Sequence, residues 1–276
     1  MALKNILVHL DDGERSAERL DLAVRLAGVH GARLTGLFAQ SETLGPGLVA
    51  RRPSDRLVDA AERAKAAFTA RTAEAGVPAK WWQLAHGEYG HVIGETVICS
   101  RYCDLAVLGQ HDPEAPARVP SQLTEEVILH AGRPVLAVPY AGTFAHVGHR
   151  VVVAWNASRE AARAINDAIP LMQGAKSVLV LALHGHHGTG EKGPVPQVDI
   201  VDHLAAHGIA ATQERMTVED MMPMDAVLNR ISDEGADLLV MGGFGGYGSG
   251  PFGLFGRGAN TRHILRQMTV PVLFSH

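Results

Sequence analysis

Cysteine, surplus positive charge and long apolar runs are all scarce in this 276-residue chain, and each scarcity excludes a class of protein. Cys99 and Cys103 are the only cysteines, and no zinc-finger spacing surrounds them, so neither a disulfide framework nor a structural zinc site is expected. Lys and Arg number 25 against 29 Asp and Glu. Nucleic acids and anionic membranes are bound by concentrated basic surfaces, so we expect neither as a partner.

Targeting and membrane-spanning segments are not predicted either. The first residues run directly into an apolar strand-like segment, without the basic flank and cleavage site of a signal peptide. The uncharged stretch 238–256 is rich in glycine and contains Pro251, which makes it a poor membrane helix. We therefore expect a cytoplasmic protein.

Short Val/Ile/Leu runs alternate with amphipathic stretches of helical period, the pattern of parallel βαβ units. In the first half this predicts strands at 6–10, 33–39, 80–84, 105–108 and 135–138, and helices at 16–27, 54–75, 89–100 and 121–131. The order restarts with strands at 151–155, 177–183, 210–215, 238–241 and 270–274, and helices at 159–172, 198–206, 225–233 and 260–267. The fold class is therefore α/β, with five strands and four helices in each half.

The two halves also repeat each other in residues. Asp-Leu-Ala-Val-Leu-Gly, which starts at Asp104, matches Asp-Leu-Leu-Val-Met-Gly, which starts at Asp237. A tandem duplication of one domain of about 140 residues explains the match. The boundary is predicted within 140–149, giving domains 1–145 and 146–276.

Several of these residues resemble the universal stress protein family. The first strand of each half ends in Asp11 or Asn156 and leads into a turn that bears serine, and the last forty residues join a Gly-rich loop to Thr-Arg-x-x-Leu-Arg-x-x-x-x-Pro-Val-Leu. The resemblance implies, for each half, a doubly wound parallel sheet of order 3-2-1-4-5, flavodoxin-like and similar to the adenine nucleotide alpha hydrolases. It also implies binding of ATP, since many members of the family bind it.

A doubly wound sheet binds its ligand where the strand order reverses, at the carboxyl ends of the first and fourth strands. In the second half, the loop that follows the fourth strand is Gly-rich, and no Asp or Glu lies between Leu238 and His276. Glycines let backbone N–H groups approach a phosphate closely, and the following helix adds the positive end of its dipole. The second half therefore carries a candidate phosphate site without local charge repulsion.

The family motif Gly-x2-Gly-x9-Gly-Ser/Thr fits this loop in three alternative frames. In the first frame Gly242 and Gly245 give the first pair, but the closing glycine would fall on Phe255. A shift by one residue, to the pair 243 and 246, closes the loop at Gly256, but an arginine then replaces the hydroxyl residue. An insertion of about three residues closes the loop at Gly258 and Thr261. The last frame is favoured because it keeps both flanks aligned. The candidate nucleotide-binding residues come from the end of the first strand and from both ends of the loop: Val153, Ala154, Asn156, Gly242, Gly245, Gly256, Gly258, Asn260 and Thr261.

The equivalent loop of the first half carries Asp112, Glu114 and three prolines. Carboxylates oppose an anion and prolines remove N–H donors, so the first half is predicted to be a degenerate copy with a poor phosphate site. Asp11 and Asp12 would suit Mg²⁺, although a turn with a capping carboxylate is the more common use of such a pair.

The prediction is thus a stress-response regulatory protein that binds ATP, ADP or AMP in its second domain. The alternative is a nucleotide-independent scaffold that binds a protein partner. An ATPase would need a catalytic base, and the loop supplies no acid or lysine by motif, so any turnover should be slow. The apolar last strands of the two halves are expected to pair as an intramolecular pseudo-dimer.

Two further motifs are not explained by nucleotide binding or by a scaffold function. Trp81 and Trp82 are adjacent on a predicted strand, so one ring is expected in the core and the other against a helix or the second domain. Three histidines at 184–187 would suit a transition metal, but an exposed loop is favoured because no carboxylate or cysteine completes the set locally.

Overall fold

The computed structural model describes residues 2–42, 52–116, 118–184, 199–217, 223–245 and 258–276. The chain divides into two compact units, 1–145 and 146–276. Each unit is an α/β domain, which confirms the predicted fold class. None of the helices within the described ranges is long and apolar enough to cross a membrane.

Strands and helices alternate in the first unit as the hydrophobic periodicity predicts. The elements are β1 (Asn5–Leu10), α1 (Arg15–His30), β2 (Arg33–Phe38), α2 (Asp55–Glu74), β3 (Ala79–Gln83), α3 (Tyr89–Ser100), β4 (Leu105–Gly109), α4 (Leu123–His130) and β5 (Val135–Val138). The strand order is β3-β2-β1-β4-β5, and the pairs of known register are parallel. The order reverses between β1 and β4.

The second unit repeats this arrangement. Its elements are β6 (Arg150–Trp155), α5 (Arg159–Met172), β7 (Ser177–His184), α6 (Ile200–Ala206), β8 (Thr212–Thr217), α7 (Pro223–Glu234), β9 (Leu238–Gly242), α8 (Ala259–Gln267) and β10 (Val272–Ser275). The strand order is β8-β7-β6-β9-β10, again parallel, and it reverses between β6 and β9.

The repeated aspartates have the same structural role in both units. The Asp104 carboxylate accepts hydrogen bonds from the backbone N–H groups of Lys4 and Asn5, at 2.8 and 2.9 Å. The Asp237 carboxylate accepts from Gly148, at 2.8 Å, and from Arg150, at 3.1 Å. Each aspartate therefore ties the start of the fourth strand to the start of the first, which sets the register at the centre of each sheet.

The two tryptophans of β3 separate as their alternation predicts. Trp81 packs against Phe68 of α2, with ring centroids 5.4 Å apart. Gly36 on the neighbouring strand permits this contact, because a Cβ there would lie 2.8 Å from the Phe68 ring. Trp82 lies on the opposite face of the strand. On that face the Trp82 ring is half-buried.

Candidate functional site

The strand-order reversal of the second unit lies where β6 and β9 end, at Trp155 and Gly242. Asn156 follows β6 and forms a turn, because its Oδ1 accepts a hydrogen bond from the backbone N–H of Ser158 at 3.2 Å. Ser158 in turn caps α5 by accepting from Ala161 N at 3.2 Å. Asn156 is exposed at this edge, so its side chain remains accessible.

Gly242 and Gly245 permit two close approaches to the start of α5. A Cβ at Gly242 would lie 2.6 Å from the backbone nitrogen of Ala161, so only glycine lets the helix pack this closely on β9. A Cβ at Gly245 would lie 3.0 Å from Oε2 of Glu160. Gly245 does not have a positive φ; the left-handed conformation belongs to Phe244, at φ 53°.

Glu160 brings a negative charge that the local sequence of the loop does not reveal. Glu160 is only 7% exposed, and its carboxylate pairs with the guanidinium of Arg159. Burial alone would raise the pKa of Glu160, but the hydrogen bond from Arg159, together with a backbone hydrogen bond and nearby positive charge, holds it below its ordinary value. The segment 238–276 contains no acid of its own, but α5, which lies outside that segment, places a carboxylate beside Gly245.

The start of α8 supplies the opposite environment. Gly258 is its N-cap residue, at φ 81°, and no side chain from the described ranges caps the first turn, which also contains no acid. Asn260 lies in that turn with a buried Oδ1 that no donor within the described residues reaches. The first N–H groups of a helix lack partners within the helix, so this turn is a favourable position for an anion.

Thr261 and Phe244 connect this helix to the end of β9. The buried Thr261 hydroxyl accepts a hydrogen bond from Phe244 N at 2.8 Å. The Phe244 ring fills the space beside Gly258, and the Arg262 guanidinium lies over that ring at 5.4 Å from its centroid. These contacts bring four of the predicted residues to one edge of the sheet: Gly242, Gly245, Gly258 and Thr261.

The other predicted residues do not all reach this edge. Val153 is completely buried within β6, where it pairs with Val180 on one side and Val240 on the other. Ala154 is also paired on both sides but is partly exposed. Gly256 lies outside the described residues, as does the rest of 246–257. The same is true of the side chains of the histidine motif at 184–187.

In the first unit the corresponding position is filled by a cation. Arg19 of α1 is 5% exposed; its Nε donates to the backbone oxygen of His9 and its Nη2 to Oδ2 of Asp11, both at 2.7 Å. A Cβ at Gly109, the last residue of β4, would lie 2.5 Å from Nη1 of Arg19. The guanidinium therefore lies against the glycine that ends the fourth strand.

This ion pair shifts the pKa values of the buried groups around it. Burial raises the pKa of Asp11, but the Arg19 cation, the nearby His9 and the hydrogen bonds that the carboxylate accepts together outweigh it, so the net shift is downward. Burial and the Arg19 cation together lower the pKa of His9 to about 4. A cavity of about 60 Å³ remains beside these side chains, which is too small for a nucleotide.

The magnesium alternative fits poorly, because arginines hold both carboxylates. Asp11 pairs with Arg19, and Asp12 pairs with Arg118 at 2.5 Å. Over the described ranges, no group of three His, Cys, Asp or Glu side chains could hold a metal ion.

Sequence reasoning missed both Arg19 and Glu160, although a signal for each was present. Arg19 shares the buried face of α1 with Leu22 and Ala23, and Glu160 shares that of α5 with Ala164. A charged residue on the apolar face of a helix is expected to be paired or functional. The distance of Arg19 or Glu160 from the end of the fourth strand, however, could be known only from the fold.

The described chain consists of two doubly wound α/β domains, each with polar residues at the reversal point, which is where proteins of this fold class bind ligands when they bind them. A sequence model of the universal stress protein family matches residues 2–139, and the chain belongs to that family as a tandem two-domain member. The match falls on the first unit, whereas sequence analysis found the most specific residues in the last forty. A search of curated proteins found no match.

Two of the solved structures that are similar to this chain cover nearly all of it, and a third covers half of it. A universal stress protein from Archaeoglobus fulgidus is 19% identical, with a TM-score of 0.72, over 98% of this chain and 95% of its own. A functionally unknown protein from Pseudomonas aeruginosa is 19% identical, with a TM-score of 0.60, over 99% and 92%. A universal stress protein from Lactobacillus plantarum is 26% identical, with a TM-score of 0.39, over 50% and 98%.

Proposed function

We propose that the second unit binds an adenine nucleotide as the regulatory ligand of a stress-response protein. The observation that carries the proposal is the first turn of α8, which follows a Gly-rich segment, contains no acid and is capped by no described side chain. Phosphates would lie at this turn, on the N–H groups that have no acceptor within the helix. They would also lie near Oδ1 of Asn260, which no described donor reaches and whose amide can turn its NH₂ toward an anion. Membership of a family with many ATP-binding members supports the choice of ligand.

Glu160 decides where the parts of the nucleotide would lie. A carboxylate with a lowered pKa repels phosphate, but it accepts hydrogen bonds from hydroxyl groups. We therefore place the ribose near Glu160 and Asn156, and the phosphates farther along the loop toward Gly258 and Thr261. Gly245, between the two groups, would face the ribose–phosphate junction.

The first unit is expected to bind no nucleotide. Arg19 fills the position beside Gly109, the remaining cavity is small, and α4 begins with Glu125 and Glu126 in its first turn. Hydrolysis should also be slow, because a carboxylate whose pKa is lowered is a weak general base.

A nucleotide-independent scaffold is the second candidate, and Glu160 is the observation that favours it. A buried carboxylate beside Gly245 costs affinity for any anion that must pass close to it. Under this alternative the reversal point is a packed structural element, and the function lies in contacts with a protein partner.

Calorimetric titration of the full chain with ATP, ADP and AMP separates the two candidates. We expect saturation at one nucleotide per chain, and mass spectrometry of the native protein should identify any nucleotide that copurifies. Two equivalent sites would contradict the assignment to the second unit. Absence of saturable binding by all three nucleotides would leave the scaffold as the better reading.

A further inference from the structure

An open groove of about 400 Å³ lies in the first unit, at the opposite ends of the strands from the reversal point. Its floor is formed by the first residues of β2 and β3, including Arg33, Thr35 and Lys80. Its wall is formed by the last turn of α3 and the residues just after it. The volume is in the range of small-molecule sites.

Two cations lie along the floor of this groove. In the register of the two strands, Thr35 pairs with Lys80, so Arg33 is the diagonal neighbour of Lys80 on the same face. Arg33 already donates to Oδ1 of Asn5 at 2.6 Å. None of the described residues lining the groove is a carboxylate, so an anion that enters it would meet attraction from both cations.

Aromatic and aliphatic surface forms the rest of the groove. Trp82 is half-buried, and the ammonium group of Lys80 lies 4.9 Å from its ring centroid. Tyr102 is 72% exposed and Ile98 is 43% exposed, which is unusual for side chains of this size. A flat ring inserted between Trp82 and Tyr102 would cover apolar surface that now faces water.

Cys99 completes the wall without adding charge. Burial, together with the nearby Glu95 carboxylate, raises the pKa of its thiol, so the group stays neutral near pH 7. The neutral thiol contributes polarisable surface to the groove and does not offset the positive charge of Arg33 and Lys80.

We propose that this groove binds a small aromatic carboxylate, with its ring between Trp82 and Tyr102 and its carboxylate at Arg33 and Lys80. A single negative charge fits best, because one cation is already shared with Asn5 and the other lies over the Trp82 ring. This site is separate from the nucleotide site proposed above, and it does not depend on that proposal.

Titration with 2-naphthoate, followed through the three indole N–H signals of the full chain by NMR, tests the proposal. We expect one indole signal to shift in a saturable way, with a dissociation constant on the order of 1 mM. Trp82→Phe should remove that signal and so assign it. No saturable shift, or a shift of another indole only, would overturn the proposal.

Matched variants test the charge recognition. Arg33→Gln and Lys80→Gln should each weaken 2-naphthoate binding by roughly fivefold, the effect of an exposed charge pair. Lys65→Gln, on an exposed position of α2, should leave the affinity unchanged. The uncharged 2-naphthamide should bind more weakly than 2-naphthoate and should be insensitive to the Gln variants. Equal binding of the two compounds, or equal effects of all three substitutions, would refute the assignment.

Discussion

The reversal points of the two units carry buried side chains of opposite charge. In the first unit, the Arg19 guanidinium of α1 lies against Gly109, which ends β4. In the second unit, the backbone and Cβ of Glu160 of α5 lie against Gly242, which ends β9, and the Glu160 carboxylate lies beside Gly245. Arg19 forms an ion pair with Asp11, which directly follows β1. Glu160 instead pairs with its own neighbour, Arg159, whose side chain is 78% exposed.

This difference separates a structural site from a candidate binding site. A buried cation that already has its anion gains little from a ligand and loses its partner if one displaces it. In the second unit the charge is compensated from the solvent side, and no described side chain caps the first turn of α8. A duplicated domain can therefore keep its fold in both copies while the charges at the reversal point change.

Removing Arg19 should have the largest effect on stability. Arg19→Met leaves the Asp11 carboxylate buried without its cation, which should lower the free energy of unfolding of the first unit by about 3–5 kcal/mol. Urea unfolding of the full chain, followed by circular dichroism, measures this loss. Arg71→Met is the matched control: this arginine is half-exposed in its pair with Asp21, so it should cost less than about 1 kcal/mol. Similar losses for both variants would mean that the Arg19 pair is not a structural element.

Acidification should weaken the first unit through His9. The pKa of His9 falls from 6.5 in the unfolded chain to about 4 in the folded one, so the unfolded state binds more protons between these values. Its contribution is therefore fully present above pH 6.5 and is lost as the pH falls toward 4, by about 3 kcal/mol in total.

Unfolding measured at several pH values between 4 and 7 tests this dependence. His9→Gln should flatten the slope for the first unit, while His130→Gln, at a mostly exposed position of α4, should retain the slope of the parent protein. If His9→Gln keeps the full slope, the pH sensitivity originates elsewhere.

The alternation of apolar runs and amphipathic stretches was sufficient to predict the α/β class and the succession of elements along the chain. Periodicity of 2 and 3.6 residues is a local property, so it indicates which segments are strands and which are helices. The order of the strands within each sheet was implied by the resemblance to the universal stress protein family. Element boundaries depend on pairing instead: β8 was predicted at 210–215 but runs from Thr212 to Thr217, because Thr212 pairs with Leu179 of β7.

The candidate site was only partly predictable, for a different reason. Glycines and the acid-free segment were visible in the sequence, and they led to Gly242, Gly245, Gly258 and Thr261. The charges of Arg19 and Glu160 come from helices that lie far from the fourth strand along the chain. Only the packing of α1 and α5 on the strand ends brings these charges beside Gly109 and Gly245.

Filling the space at Gly245 should abolish the proposed difference in nucleotide binding between the units. Gly245→Val places a branched side chain within contact of the Glu160 carboxylate and along the path of the phosphates. We expect ATP affinity to fall at least roughly tenfold, about 1.4 kcal/mol, by calorimetry. Gly28→Val, at an open position of α1, should bind ATP as the parent protein does. Normal binding by Gly245→Val would place the phosphates on other residues.

Neutralising Glu160 should have the smallest effect, and its direction tests where the phosphates lie. Glu160→Gln removes the repulsion but keeps an oxygen that accepts a hydrogen bond from ribose. ATP should bind about fivefold more tightly, roughly 1 kcal/mol, while adenosine should change little because it carries no phosphate. Parallel calorimetric titrations of the variant with both compounds give the comparison. Weaker ATP binding would show that the carboxylate itself is required, and equal gains for ATP and adenosine would show that its charge does not act on the phosphates.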